Sequence, residues 1–285
     1  MISDEEDAVQ HNVQSALFTA RDMRLAENHA AALCAAFRTG MKNGTSFRLL
    51  PVKMMAKEEF ELLPKGGLFG EKTRRFTDPE KWFRYSYNKR RMCNVKLHSE
   101  PRKQIPADLG EGIRICCLYE NGTASCFCPE WAYYEPTDKW SVVYREQPLS
   151  DSSLAKQRFA DNTEQLRAAF LAMSDFAHSL GCENDTSHLL CCLDELEGRQ
   201  ANWEQQSEVL SVIHTRIAPM HTPKLPEKLA HIYTAASRAP SWNVSMRVEL
   251  RDAAENAGKI AEYNALMDRL SEQTNLAMLY AVNEC

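Results

Sequence analysis

The sequence predicts an α+β protein with an N-terminal helix, a small antiparallel β-sheet and a C-terminal helical bundle. Three observations carry this. An Ala-rich helical stretch precedes Gly40, period-2 alternation flanks an Asn-Gly turn in the middle of the chain, and period-3.6 apolar stripes fill the residues after 150.

The N-terminal helix spans residues 1–40. Ser3 and Glu6 have the spacing of a capping box, Leu33 and Phe37 lie four apart on one face, and Gly40 is a stop signal. Residues 41–149 hold the β structure. Phe47 to Met54 is a candidate strand, and Pro51 places it at an edge. Gly66, Gly67 and Gly70 mark a loop, and Asp78-Pro79-Glu80 reads as a helix start with Asp as N-cap and Pro at the first position.

Cys93, Val95 and Leu97 alternate with polar residues, as do Trp140, Val142 and Tyr144. Between them lies a hairpin centred on Asn121-Gly122, a strong signal for a two-residue turn. That loop length places Cys117 opposite Cys126, with Cys117, Cys126 and Cys128 on one face. Together the four strands form an antiparallel meander with an Asn-Gly hairpin.

After Pro148-Leu149-Ser150 the pattern is helical. Leu166, Phe170, Met173, Ala177 and Leu180 make one stripe that Gly181 ends. Further helices are predicted near 187–196 and 204–217, after Pro226, and from Ile260 nearly to the end. The junction at 148–152 is too short for a flexible linker, so regions 1–149 and 150–285 are compatible with one compact domain.

Composition narrows the function classes. The 44% hydrophobic and 26% charged residues fit a folded globular chain. No apolar run reaches the roughly 18–20 residues of a membrane span, so no membrane insertion is expected. The acidic Met1–Asp7 start carries no export signal, and ten cysteines without one point to a reducing, cytoplasmic location. The four Asn-x-Ser/Thr sequons are then read as turn chemistry.

Charge is polarised along the chain. Residues 71–103 hold eleven Lys/Arg against four Asp/Glu, whereas residues 150–285 hold twelve against nineteen. Such asymmetry bears on partners rather than on fold.

The leading candidate site is the basic-aromatic block of Arg74, Arg75, Trp82, Arg84, Tyr85, Tyr87, Lys89, Arg90 and Arg91. Interleaved cations and flat rings suit phosphates and bases, so nucleic acid is one reading. In the competing reading the rings are core and the cations merely solvated. No helix-turn-helix, zinc-finger, RRM or KH signature is present.

A second candidate is Cys117 with Cys126, which the predicted register opposes at a non-hydrogen-bonded pair suited to a redox-dependent disulfide. A third is His178, Cys182, His188 and Cys192, two i, i+4 pairs that fit a tetrahedral zinc site if their helices converge. No Cys-x-x-Cys occurs, and no other cofactor is expected. The G-x-S-x-G, P-loop, G-x-G-x-x-G and H-E-x-x-H motifs are all absent. The loop Trp242 of Pro240–Asn243 reads as a plug at one end of the bundle.

Three functions follow. The first is a soluble cytosolic binding or regulatory protein contacting a protein or polyanion through the surface at 72–103. The second is an enzyme of unrecognised class with a pocket between sheet and bundle. The third is a thiol- or metal-responsive protein.

Overall fold

The computed structural model describes residues 20–44, 55–63, 73–99, 112–134, 139–199, 201, 224–239 and 244–285. Helix α1 spans Ala20–Asn43, strand β1 Met55–Leu62, β2 Arg74–Phe76, α2 Pro79–Asn88, β3 Met92–His98, β4 Arg114–Tyr119, β5 Ala124–Tyr134 and β6 Lys139–Leu149. The helical region follows with α3 Ser153–Lys156, α4 Thr163–Ser179, α5 Glu183–Leu196, α6 Glu227–Arg238, α7 Val244–Asn256 and α8 Ile260–Asn283. The capping box, the Phe47–Met54 strand, the glycine loop, the 204–217 helix and Trp242 lie outside the described residues.

The α+β class is observed, but the sheet is larger than expected and mixed. Among the described residues, six strands lie in the order β2-β1-β6-β5-β4-β3. The β3–β6 meander is antiparallel, whereas β1 runs parallel to β6 and pairs Phe60 with Tyr144. A parallel pair needs a long crossover, which the whole meander supplies.

Alternation gives the sheet two different faces. Phe60, Val95, Ile115, Cys117, Phe127, Val142 and Tyr144 are buried on the inner face beneath α1 and α2. In α1, Ala26, Ala30, Leu33 and Phe37 make the apolar stripe that meets them. Gly40 does not end α1. It stays inside the helix, and Gly44, at φ +60°, terminates it. A single glycine weakens a helix by only about 1 kcal/mol, too little to break a buried stripe.

The bundle stripe is as predicted, with Leu166, Phe170, Met173 and Ala177 of α4 buried. In α8, Tyr263, Met267, Leu270, Thr274, Ala277 and Ala281 are buried at the same spacing. Buried residues of the sheet and of the bundle belong to one contiguous core.

The helices also close the β3 edge. Arg38 Nη1 donates to Val95 O at 3.0 Å. The Asn283 amide accepts from Leu97 N–H at 2.8 Å and donates to Leu97 O at 2.8 Å, standing where another strand would pair. Covering an edge in this way blocks strand addition.

One buried acid gives the bundle a pH signature. Asp185, in the first turn of α5, is 3% exposed. Burial, reinforced by Glu249, pushes its carboxyl up to about 6. The folded state therefore holds this proton more tightly than the unfolded chain. The resulting stability is full below the ordinary Asp value and is lost as pH rises through about 6. Asp185→Asn is expected to stabilise the protein by about 3 kcal/mol at neutral pH, given about 1.4 kcal/mol per pKa unit. The gain should vanish in melts below the ordinary Asp pKa, and an equal gain at both pH values would contradict this origin.

Candidate binding surface

The basic-aromatic block folds as β2 followed by α2. Asp78 caps α2, its side chain accepting from Glu80 N–H at 2.8 Å, and Pro79 opens the first turn. Helical spacing then divides the block between core and solvent.

Trp82 faces inward and is fully buried. It stacks on Phe60 with centroids 4.2 Å apart and meets Phe37 and Phe127, each at 4.9 Å. Phe83 stacks between Phe37 and Tyr87, at 5.6 Å from each. Tyr85 packs on Phe76 at 5.2 Å, and the Arg74 guanidinium lies over the Tyr85 ring at 4.1 Å. The rings thus pack against one another, with Trp82 unavailable to any partner.

The cations divide too. Arg90 turns inward, pairing with the buried Glu146 at 2.6 Å and lying 4.4 Å over the Tyr119 ring. Arg75 reaches Glu61 at 3.5 Å, and Arg145 links Glu61 at 2.6 Å to Glu130 at 2.7 Å. Arg84 pairs with Glu80 one turn back at 2.5 Å. Arg91 pairs with Glu120 at 2.9 Å and adopts φ +58°, a left-handed conformation uncommon outside glycine.

Lys81 and Lys89 are exposed and have no carboxylate partner among the described residues. Exposed pairs such as Arg84–Glu80 contribute only about 0–1 kcal/mol, so that guanidinium can exchange partners. The available cations are therefore Lys81 and Arg84 on α2 and Lys89 at its C-cap, with Arg74 beside them on β2. Lys81 is not among the residues the sequence singles out, although its place three residues before Arg84 is a readable signal.

The hairpin register differs from the expectation. Gly122 N–H donates to Tyr119 O at 2.9 Å, Gly122 takes φ +81°, and Tyr119 N–H donates to Thr123 O at 3.0 Å. This is a three-residue loop in which only Gly122 needs positive φ. The Asn121 side chain instead accepts from Thr123 N–H at 3.1 Å and from the Thr123 hydroxyl at 2.7 Å. Cys116, not Cys117, consequently faces Cys126, while Cys117 faces Ser125 on the inner side.

The predicted zinc ligands do not converge. His178 is exposed beside Glu183 at 3.3 Å, whereas buried His188 shares a hydrogen bond between Nε2 and Arg238 O at 2.7 Å. Cys182 is the N-cap residue of α5, and Cys192 is buried within that helix. Among the described residues, no three His, Cys, Asp or Glu side chains are grouped to hold a metal ion.

A polar chain that the sequence did not reveal joins α1 to the sheet. His29 Nδ1 lies 2.8 Å from the Tyr144 hydroxyl, and its Nε2 bonds the Glu58 carboxylate. Trp131 stands edge-on to the imidazole at 5.2 Å. Burial, reinforced by Glu58, pushes the Tyr144 phenol well above its ordinary value, so it stays protonated. His29 and Tyr144 are both fully buried, which suits a joint between layers. Finding it required knowledge of the parallel β1–β6 pairing.

No family model matches this chain, and neither do any curated protein or solved structure. No described helix is long and apolar enough to cross a membrane.

Proposed function

We propose that this protein is a binding or regulatory protein that contacts an acidic protein partner through Lys81 and Arg84 on α2 and Lys89 at its C-cap. The observation that carries this reading is the division of the block. Its rings pack on one another and on the core, and two of its exposed lysines have no carboxylate partner among the described residues. Single-stranded nucleic-acid binding asks for aromatic faces on which bases stack. Here Trp82 is in the core and Tyr85 lies under Arg74. What remains is a set of exposed cations, which favours an acidic protein surface.

The test is fluorescence anisotropy with labelled poly-glutamate and, in parallel, duplex DNA. Poly-glutamate binding should weaken as salt rises. The triple reversal K81E/R84E/K89E should weaken it by about tenfold or more at low salt. Unchanged binding by that variant would show that the contact lies elsewhere. Preferential duplex binding, with a salt slope of about −0.9 per phosphate contacted, would move the reading to nucleic acid.

A further inference from the structure

The corrected hairpin register brings together three thiols that the binding surface does not use. Cys116 and Cys126 face each other across β4 and β5, and Cys128 lies two residues along the same face. Leu154 and Ala155 of α3 cover this patch with Leu118. Cys126 and Cys128 sulfurs are 3.9 Å apart, and all three thiols are free.

Hydrogen-bonded and non-hydrogen-bonded pairs alternate along an antiparallel ladder. The Tyr119–Thr123 bond closes the loop at a hydrogen-bonded pair. Counting outward through Leu118–Ala124 and Cys117–Ser125 makes Cys116–Cys126 a non-hydrogen-bonded pair. Cα atoms of such pairs are about 4.5 Å apart, within the range a disulfide spans.

We propose that Cys116, Cys126 and Cys128 form a hydroperoxide-reactive thiol site that closes a reversible Cys116–Cys126 disulfide. Cys126 is the attacking sulfur. Its thiolate is favoured by the hydrogen bond with Cys128, whereas burial pushes the Cys116 thiol up to about 12 and holds it protonated. Cys126 is itself buried, and Cys128 beside it is the one of the three that is only partly buried, on the side from which an oxidant would approach.

In the first step the Cys126 thiolate attacks one peroxide oxygen. An S–O bond forms, the O–O bond breaks, and the departing alkoxide or hydroxide takes a proton from water. Cys126 becomes a sulfenic acid. In the second step the Cys116 sulfur attacks the Cys126 sulfur. The S–S bond forms, the S–O bond breaks, and the hydroxyl leaves as water with the Cys116 proton. Two thiols are oxidised by two electrons, and one hydroperoxide is reduced to an alcohol, or to water for hydrogen peroxide, together with the water released in the second step. A dithiol reductant reverses the change by exchange.

The test treats the full chain with hydrogen peroxide and maps the products by non-reducing peptide mass spectrometry. The expected product joins Cys116 to Cys126 with loss of two hydrogens and is restored by dithiothreitol. Cys117→Ser should leave it intact. Cys116→Ala should abolish the disulfide and leave a Cys126 sulfenic acid that dimedone traps. Cys128→Ala should slow formation about tenfold without changing the product, because the rate follows thiolate fraction. A disulfide through Cys117, a terminal Cys126–Cys128 link, or oxidation without any disulfide would each overturn the proposal. Circular dichroism of each variant before treatment confirms that the comparison is made on folded protein.

Discussion

Truncating Trp82 to alanine is expected to destabilise the fold by about 3–5 kcal/mol, the range for removing a large buried aromatic. The side chain is fully buried and touches Phe37, Phe60 and Phe127, which come from α1, β1 and β5. Removing it leaves three elements around one void, and the stacking with Phe60 is lost as well. The melting temperature should fall by about 10 °C, taking about 2–4 °C per kcal/mol for a chain of this size. A ring that served a partner instead would give the opposite pattern, with binding impaired and the melt unchanged.

Arg90→Ala is the second large effect, expected at about 3 kcal/mol because it leaves a buried carboxylate without its cation. Glu146 is almost wholly buried and, among the described residues, would retain the Leu63 N–H, at 3.1 Å. The Tyr119 face would lose its guanidinium too. Replacing both partners by apolar residues, as in Arg90→Met with Glu146→Leu, should recover most of the loss, since the cost lies in the orphaned charge. Denaturant midpoints of the single and double variants measure this directly. A double variant as unstable as Arg90→Ala would mean that the guanidinium's packing, not its charge, is what matters.

Both effects fall within one basic-aromatic block, where local pattern reveals only part of the structure. Asp78-Pro79 was legible as a helix start because N-cap chemistry is local. The α4 stripe was legible because its period is helical. The division of the basic block was not legible. Arg90 reads as a surface cation until Glu146, distant in sequence, arrives from β6.

Strand β1 was missed for a related reason. Its residues Lys57, Glu58, Glu59 and Glu61 obscure the alternation, because inward-facing Glu58 is satisfied by His29 rather than replaced by an apolar residue. The hairpin shows how small an error matters. Asn121-Gly122 located the turn, but one residue of loop length exchanged Cys117 for Cys116 on the thiol face. With a side-chain period of two, such a slip reverses both faces.

In the proposed function one short segment has two separable roles, with Trp82 and Arg90 holding the fold and Lys81, Arg84 and Lys89 meeting the partner. The most direct measurement pairs a thermal melt with a poly-glutamate titration for K81E/R84E/K89E and for Arg90→Ala. The account predicts that the triple variant loses binding and keeps its melting temperature, while Arg90→Ala melts lower and binds normally when folded. A triple variant that binds as well as the unaltered protein, or that melts as low as Arg90→Ala, would contradict it.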